Sequence, residues 1–274
     1  MKKRVPITLD QFQSILPPRP RDSHKGLYGS VLVVGGDYGM PGAVRLAGEA
    51  ALRVGAGLVR VATQPDHVSA IVSSRPEIMA YGINKSKEMM PLLEKSSVVV
   101  VGPGLGQTAW SESLLRLCLS TAKEKVVDAD ALNCLAKNPC YSDQWILTPH
   151  PGEAARLLGW SVQDIQRDRL IAAQTLQQKY GGVTVLKGVD TIVCTADEWS
   201  VNDAGNPGMS SAGMGDVLSG IIGGLLAQHV SLFDAARWGV LIHASAGDRA
   251  ARIQGERGLL ASDLINYLQE LANI

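Results

Sequence analysis

The sequence predicts an α/β protein built on a central, mostly parallel β-sheet with helices on both faces. Two observations carry that expectation. Short apolar runs rich in Val, Leu and Ile occur at 31–34, 58–62, 98–101, 125–127, 145–147 and 183–186, with little polar alternation, as strands buried on both sides require. Longer stretches with helical spacing of apolar residues separate them, and such alternation builds a parallel sheet through right-handed crossovers.

Taken in order, residues 1–9 are basic but run into Asp10 and Gln11 rather than an apolar core, so no secretory leader is expected. Residues 12–30 carry Pro17, Pro18 and Pro20 and read as irregular, with 1–23 as the lead-in to the domain. Helices are predicted over 42–54, 65–73, 87–94, 109–122, 129–137, 152–158 and 162–179, between the strands named above. A strand pair follows at 190–195 and 198–201, and then helices at 214–228, 232–252 and 260–272. No linker, charge run or fixed-period repeat interrupts the chain, so 1–274 is expected to form one domain.

Composition narrows the function classes. The 26 basic residues are cancelled by 26 acidic ones, which argues against a nucleic-acid or charged-membrane partner. No apolar run approaches the ~18 residues of a membrane span. Four cysteines (Cys118, Cys134, Cys140, Cys194) lack C-x-x-C spacing, so neither a zinc knuckle nor a disulfide framework is expected and a reducing cytoplasm fits. Glycine is in excess, at 29 of 274 residues, against a usual ~7%, which points to backbone contacts.

The glycines cluster where strands end, and in such sheets ligands bind outside the carboxyl ends of the strands. Gly35 to Ala43 forms a glycine-rich turn opening a helix, either an anion site or a tight turn. It is not a Walker A loop, since Ala43 and Val44 stand where Lys and a hydroxyl are needed. Gly102-Pro103-Gly104-Leu105-Gly106-Gln107 misses the third glycine of G-x-G-x-x-G and is either a ligand-approach turn or a structural one. Asp128 and Asp130 face a helix start, where capping by at least one of them is favoured. His150 stands between Pro149 and Pro151, ahead of Glu153, as a turn histidine. Lys187, Gly188, Val189, Asp190 and Thr191 taken alone read as a β-turn with a solvated lysine. No histidine pair has metal-ligand spacing, and metal ligands stay unassigned.

Residues 206–220 carry the sharpest signal. Small residues including Gly213 and Gly215 precede an apolar helix, so Gly213, Met214 and Gly215 can offer amides to phosphate charge, and Asp216 stands where a base can take a hydroxyl proton. The alternative is an acidic residue complementing the helix dipole.

With these residues in view, Gly213-Met214-Gly215-Asp216 resembles the anion hole and base of the ribokinase-like superfamily. The order of His24-Lys25-Gly26, Gly35–Ala43, Gly102–Gly106, Asp128–Asn133, Thr148–Glu153, Lys187–Thr191 and Asn206–Gly220 resembles, more narrowly, the ADP-dependent (S)-NAD(P)H-hydrate dehydratases. The resemblance implies a ribokinase-like fold and a lyase that restores NADH or NADPH from NADHX or NADPHX. ADP phosphorylates the hydrate hydroxyl, giving AMP and then phosphate, with Mg²⁺ at the phosphates and ATP as the other possible donor. It assigns Asp216 as base and substrate contact, and Ala43, Gly106, His150 and Glu153 to the hydrated dinucleotide. Lys187, Gly188, Val189, Asp190, Thr191, Gly213, Met214 and Gly215 go to the adenine nucleotide. Met214 replaces a frequent threonine, which removes a hydroxyl but no amide. The resemblance also implies a homotetramer and, since 274 residues leave no room for an epimerase domain, a separate epimerase partner. The rival readings are an ATP-dependent vitamin-precursor kinase of the same superfamily and a non-catalytic nucleotide-binding protein.

Overall fold

A computed structural model describes residues 2–8, 11–12 and 15–273. Its ten strands form one sheet in the order β1-β10-β9-β8-β7-β6-β5-β2-β3-β4. These are β1 (Lys3–Arg4), β2 (Ser30–Val34), β3 (Leu58–Thr63), β4 (Met79–Gly82) and β5 (Val98–Val101), then β6 (Glu124–Val127), β7 (Trp145–Leu147), β8 (Val183–Leu186), β9 (Thr191–Cys194) and β10 (Glu198–Asn202). Every pairing is parallel except those of β9 with β8 and β10.

Eleven helices are described: α1 (Pro41–Arg53), α2 (Val68–Ser74), α3 (Met90–Glu94), α4 (Ala109–Leu119), α5 (Ala129–Lys137), α6 (Pro151–Leu158), α7 (Val162–Arg167), α8 (Arg169–Tyr180), α9 (Met214–Ala227), α10 (Leu232–Gln254) and α11 (Ala261–Leu271). The sheet divides the core in two. Val31, Val33, Val98 and Val100 face α1, α9, α10 and α11, whereas Leu32, Val34, Val99 and Val101 face α4, α5, α6 and α8. β2 and β5 are buried at every position, which explains their unbroken apolar sequences.

The six apolar runs, the strand pair and most helices lie where the sequence places them, with ends shifted by a few residues. Four differences have physical causes. β4, absent from the expectation, is a half-exposed edge strand without β-branched residues. β1 is likewise invisible, being two exposed basic residues paired with β10. The single helix predicted over 162–179 is α7 plus α8, because Asp168 leaves helical geometry and its carboxylate accepts the Ile171 amide at 2.9 Å, capping α8. The irregular stretch 12–30 contains a 3₁₀ turn at Lys25–Tyr28, capped by His24, and already includes the first residue of β2, Ser30. Residues 1, 9, 10, 13 and 14 of the predicted lead-in lie outside the described residues.

The glycine excess has two uses. Some glycines make turns at strand ends with positive φ. Others let helices touch: a Cβ on Gly220 of α9 would lie 2.1 Å from the Ala47 carbonyl oxygen of α1, and one on Gly224 would lie 2.5 Å from Val54. This contact brings the N-terminal turn of α9 beside the start of α1, over the carboxyl ends of the central strands.

Candidate active site

The first turn of α9 begins the site. Gly213, at φ +90°, is its capping residue and offers no side chain, so the amides of Met214, Gly215 and Asp216 stay open. A Cβ at Gly213 would meet Leu46 of α1 at 2.8 Å and Ala261 at 3.0 Å. α1 is also uncapped by a side chain, with Pro41 in its first turn, leaving the Gly42 and Ala43 amides open at the same edge of the sheet.

Lys187, just beyond β8, is the centre of charge. Its ammonium lies 2.7 Å from Asp128 Oδ1 and 3.8 Å from Glu153 Oε2. The solvated-lysine reading is thereby corrected: the side chain is largely buried and ion-paired. Burial pushes the ammonium down, but Asp128 and Glu153 hold it above the ordinary lysine range. Asp128 is buried too; Lys187 and the hydroxyls of Ser219 and Thr148 outweigh that burial and keep the carboxyl below its ordinary range. Its second oxygen accepts the Ser219 hydroxyl at 2.7 Å.

The capping expectation for the Asp128–Asp130 pair is corrected as well. Asp128 occupies the capping position of α5 but makes no capping bond with its side chain. Asp130, in the first turn, accepts the Gly106 amide at 2.8 Å. Ala129 between them adopts φ +48°, a conformation that costs a non-glycine residue energy and is found where surroundings enforce it. Gly106 therefore presents backbone whose N–H is already bonded. Its neighbour Gly104, at φ +55°, would bring a Cβ within 3.1 Å of Ala43, so the two glycine-rich turns abut.

Asp216 lies in the first turn of α9, and its carboxylate accepts no hydrogen bond from the described residues. Burial, reinforced by the charges of Asp128 and Asp130 and opposed by Lys187, pushes its carboxyl up to about 7. A carboxylate poised there suits a base working near neutrality. Gly215 leaves room for the lysine against the helix, since a Cβ there would lie 3.2 Å from Lys187 Nζ and 3.5 Å from Asp128 Oδ2.

His150 and Glu153 form a reciprocal cap on α6. His150 Nδ1 accepts the Gly152 amide at 3.0 Å, and Glu153 accepts the His150 amide at 2.7 Å. The turn histidine is thus a helix cap, lowered by burial and by Lys187 and hence neutral near pH 7. The remaining members of the predicted nucleotide loop lie further out: Val189 is 86% exposed, Asp190 has φ +54°, and the Thr191 hydroxyl donates to the Gly188 carbonyl at 2.8 Å.

Several residues escape sequence reasoning. Asp37 is buried and ties three elements together, accepting the Tyr38 amide at 2.9 Å, Gln64 Nε2 at 2.8 Å and the Thr108 hydroxyl at 3.3 Å. Arg169 holds the loop after β8 through the Leu186 and Lys187 carbonyls at 3.1 and 3.2 Å. His243 lies against the Met214 backbone, is pushed down to about 4 by burial, and has a buried Nε2 without a partner among the described residues. Ser219 carried one signal, as a hydroxyl in an otherwise apolar run three residues after Asp216.

Among the described residues no group of three or more His, Cys, Asp or Glu side chains is arranged to hold a metal ion. No described helix is long and apolar enough to cross a membrane.

Comparison with known proteins agrees with this geometry. The chain is 57% identical over 260 residues to the bifunctional NAD(P)H-hydrate repair enzyme of Coxiella burnetii, covering 94% of this chain and 53% of that protein. It thus spans about half the length of such bifunctional relatives. It is 39% identical over 283 residues to the ADP-dependent (S)-NAD(P)H-hydrate dehydratase of Neisseria meningitidis, covering 99% of this chain and 94% of that one. The crystal structure of the ADP/ATP-dependent NAD(P)H-hydrate dehydratase of Bacillus subtilis, co-crystallised with ATP and Mg²⁺, superposes with a TM-score of 0.88 at 32% identity, covering 96% of both chains. The expected ribokinase-like α/β fold is met. The NAD(P)H-hydrate dehydratase family model matches residues 31–270, from the first buried strand to the last helix. With β3 to β10, the helix-end amides and the Lys187–Asp128 pair all falling inside that match, the chain belongs to the NAD(P)H-hydrate dehydratase family.

Proposed function

We propose that this protein converts the (S)-hydrates of NADH and NADPH back to the reduced cofactors, consuming ADP and releasing AMP and phosphate. The observation that carries the reading is Asp216. It is a carboxylate raised to about 7, free of protein hydrogen bonds among the described residues, in the same helical turn as the open amides and beside Lys187.

In this reading Asp216 removes the proton from the hydrate hydroxyl as that oxygen bonds to the β-phosphorus of ADP and the bond to AMP breaks. The Gly213–Asp216 turn and Lys187 stabilise charge on the moving phosphoryl group. The ring nitrogen lone pair then expels phosphate, and loss of a proton from the adjacent ring carbon completes the dihydronicotinamide. Ala43, Gly106, His150 and Glu153 line the dinucleotide side, and Lys187 to Thr191 with Gly213 to Gly215 line the nucleotide side. Mg²⁺ bound with the nucleotide would supply charge neutralisation at the phosphates beside the open amides and Lys187, with no side-chain ligand assigned to it.

We further take 1–274 as one domain, working as a cytoplasmic homotetramer, with epimerisation of the (R)-hydrate supplied from outside these residues. The test is purified protein with hydrated NADH, Mg²⁺ and ADP or ATP, following dihydronicotinamide absorbance and phosphate release. Recovery with ADP is expected; recovery with ATP alone reassigns the donor. Nucleotide binding with no recovery from either favours the small-alcohol kinase.

A further inference from the structure

Lysine ammonium groups ride on long flexible stems, and Lys187 is surrounded by competing anions. Asp128 approaches it from the β6–α5 junction, Glu153 from α6 and Asp216 from α9, with Asp130 close to Asp216 and the neutral imidazoles of His150 and His243 within reach of its charge. Yet its shortest ion pair, at 2.7 Å, is with Asp128. Asp128 in turn is clamped: one oxygen accepts Lys187 and the other accepts Ser219 Oγ at 2.7 Å. Ser219 is wholly buried within the apolar body of α9, where an unbonded hydroxyl would be costly.

We propose that Ser219 is a positioning residue for nucleotide binding: by locking the Asp128 carboxylate it fixes the Lys187 ammonium beside the open first turn of α9. The same helix then carries the amides, Asp216 one turn earlier, and the hydroxyl that holds the lysine. A Cβ on Gly215 of that turn would lie 3.2 Å from Lys187 Nζ, so the ammonium sits close against the turn, and Ser219 ties the lysine's partner, Asp128, to the helix that carries the amides. Without the hydroxyl, Asp128 keeps its charge but loses its Ser219 anchor, the nearby Thr148 hydroxyl being directed at the Val127 carbonyl at 3.4 Å, and Lys187 is released toward Glu153 or Asp216.

The inference rests on the reading of Lys187 as a nucleotide contact, but its test uses ADP binding without hydrate, so it stands or falls apart from turnover. Calorimetric titration of Mg·ADP is made into wild type, Ser219→Ala, Lys187→Met and the double variant, a cycle that isolates coupling between the two side chains. Ser219→Ala is expected to weaken ADP about threefold to tenfold, and the double variant to bind no worse than Lys187→Met alone. Ser219→Thr, which keeps the hydroxyl, is expected to bind like wild type. ADP affinity unchanged in Ser219→Ala, full additivity in the double variant, or an equal loss in Ser219→Thr each overturns the proposal. Should Ser219→Ala not fold, Ser219→Cys, of similar size with only a weak donor, enters the same cycle with the same outcomes. Loss of turnover in Asp216→Asn tests the dehydratase reading separately.

Discussion

Asp216→Asn is expected to abolish turnover while making the protein more stable at pH 8, and the size of that gain follows from the site. The Asp216 carboxyl is raised from 3.8 to about 7, first by burial and then by Asp128 and Asp130. At ~1.4 kcal/mol per pK unit the ceiling is ~4 kcal/mol, and partial solvent contact reduces the expected gain to ~1–3 kcal/mol. The sign follows from linkage: a folded-state pKa above the unfolded one means the native state holds the proton more tightly. That contribution to stability is complete below about 3.8 and is lost as pH rises through about 7. Asparagine keeps the shape without the charge and forfeits no hydrogen bond, because the carboxylate has none among the described residues. Differential scanning at pH 8 and pH 4.5, paired with the absorbance assay, reads both arms. The asparagine variant should melt a few degrees higher at pH 8, with the difference shrinking at pH 4.5. A variant less stable than wild type at pH 8 would refute the burial argument, and retained turnover would remove Asp216 as base.

Three more outcomes are expected. Turnover of the wild type should fall as pH drops through about 7, the range where Asp216 takes up its proton; in Lys187→Met, which removes the charge that favours the ionised form, a pH–kcat/KM profile should show that limb at higher pH. Gly215→Ala brings a methyl 3.2 Å from Lys187 Nζ. It should weaken ADP about tenfold, or ~1.4 kcal/mol, while a melting curve shows stability unchanged or improved, since alanine outranks glycine in a helix. Gly220→Ala drives a Cβ to 2.1 Å from the Ala47 carbonyl oxygen. Forcing α1 and α9 apart should cost about 3 kcal/mol or more by denaturant titration.

Where one period dominated, the chain was readable. Val98–Val101 is buried on both faces and could only be a central strand. Met79–Gly82 failed the same reading because an edge strand need not be apolar or β-branched. In the site, motif order located the strand ends and Asp216, but the pairing of charges was hidden. Lys187 and Asp128 lie 59 positions apart, and local rules assign one to a turn and the other to a cap. Their union is a product of sheet order, since β6, β7 and β8 are neighbours and deliver both residues to one edge.

That union also accounts for what the local rules got wrong. A capping aspartate would have lowered the energy of α5, and a solvated lysine would have cost nothing; instead both are buried, and Ala129 adopts a left-handed backbone between two carboxylates. Counting Asp128, Asp130, Glu153 and Asp216 against Lys187 and Arg156, the site carries more acidic than basic groups before any phosphate arrives. Burial first, and the charges of Asp128 and Asp130 second, raise Asp216 to about 7 and suit it to act as a base, yet the same negative field repels the phosphates that the proposed reaction needs. The open amides of α1 and α9 answer that conflict, because helix N-termini supply positive potential without a titratable group. A lysine added in their place would pull Asp216 back down, so the glycine-rich helix starts and the acidic cluster are two halves of one electrostatic requirement.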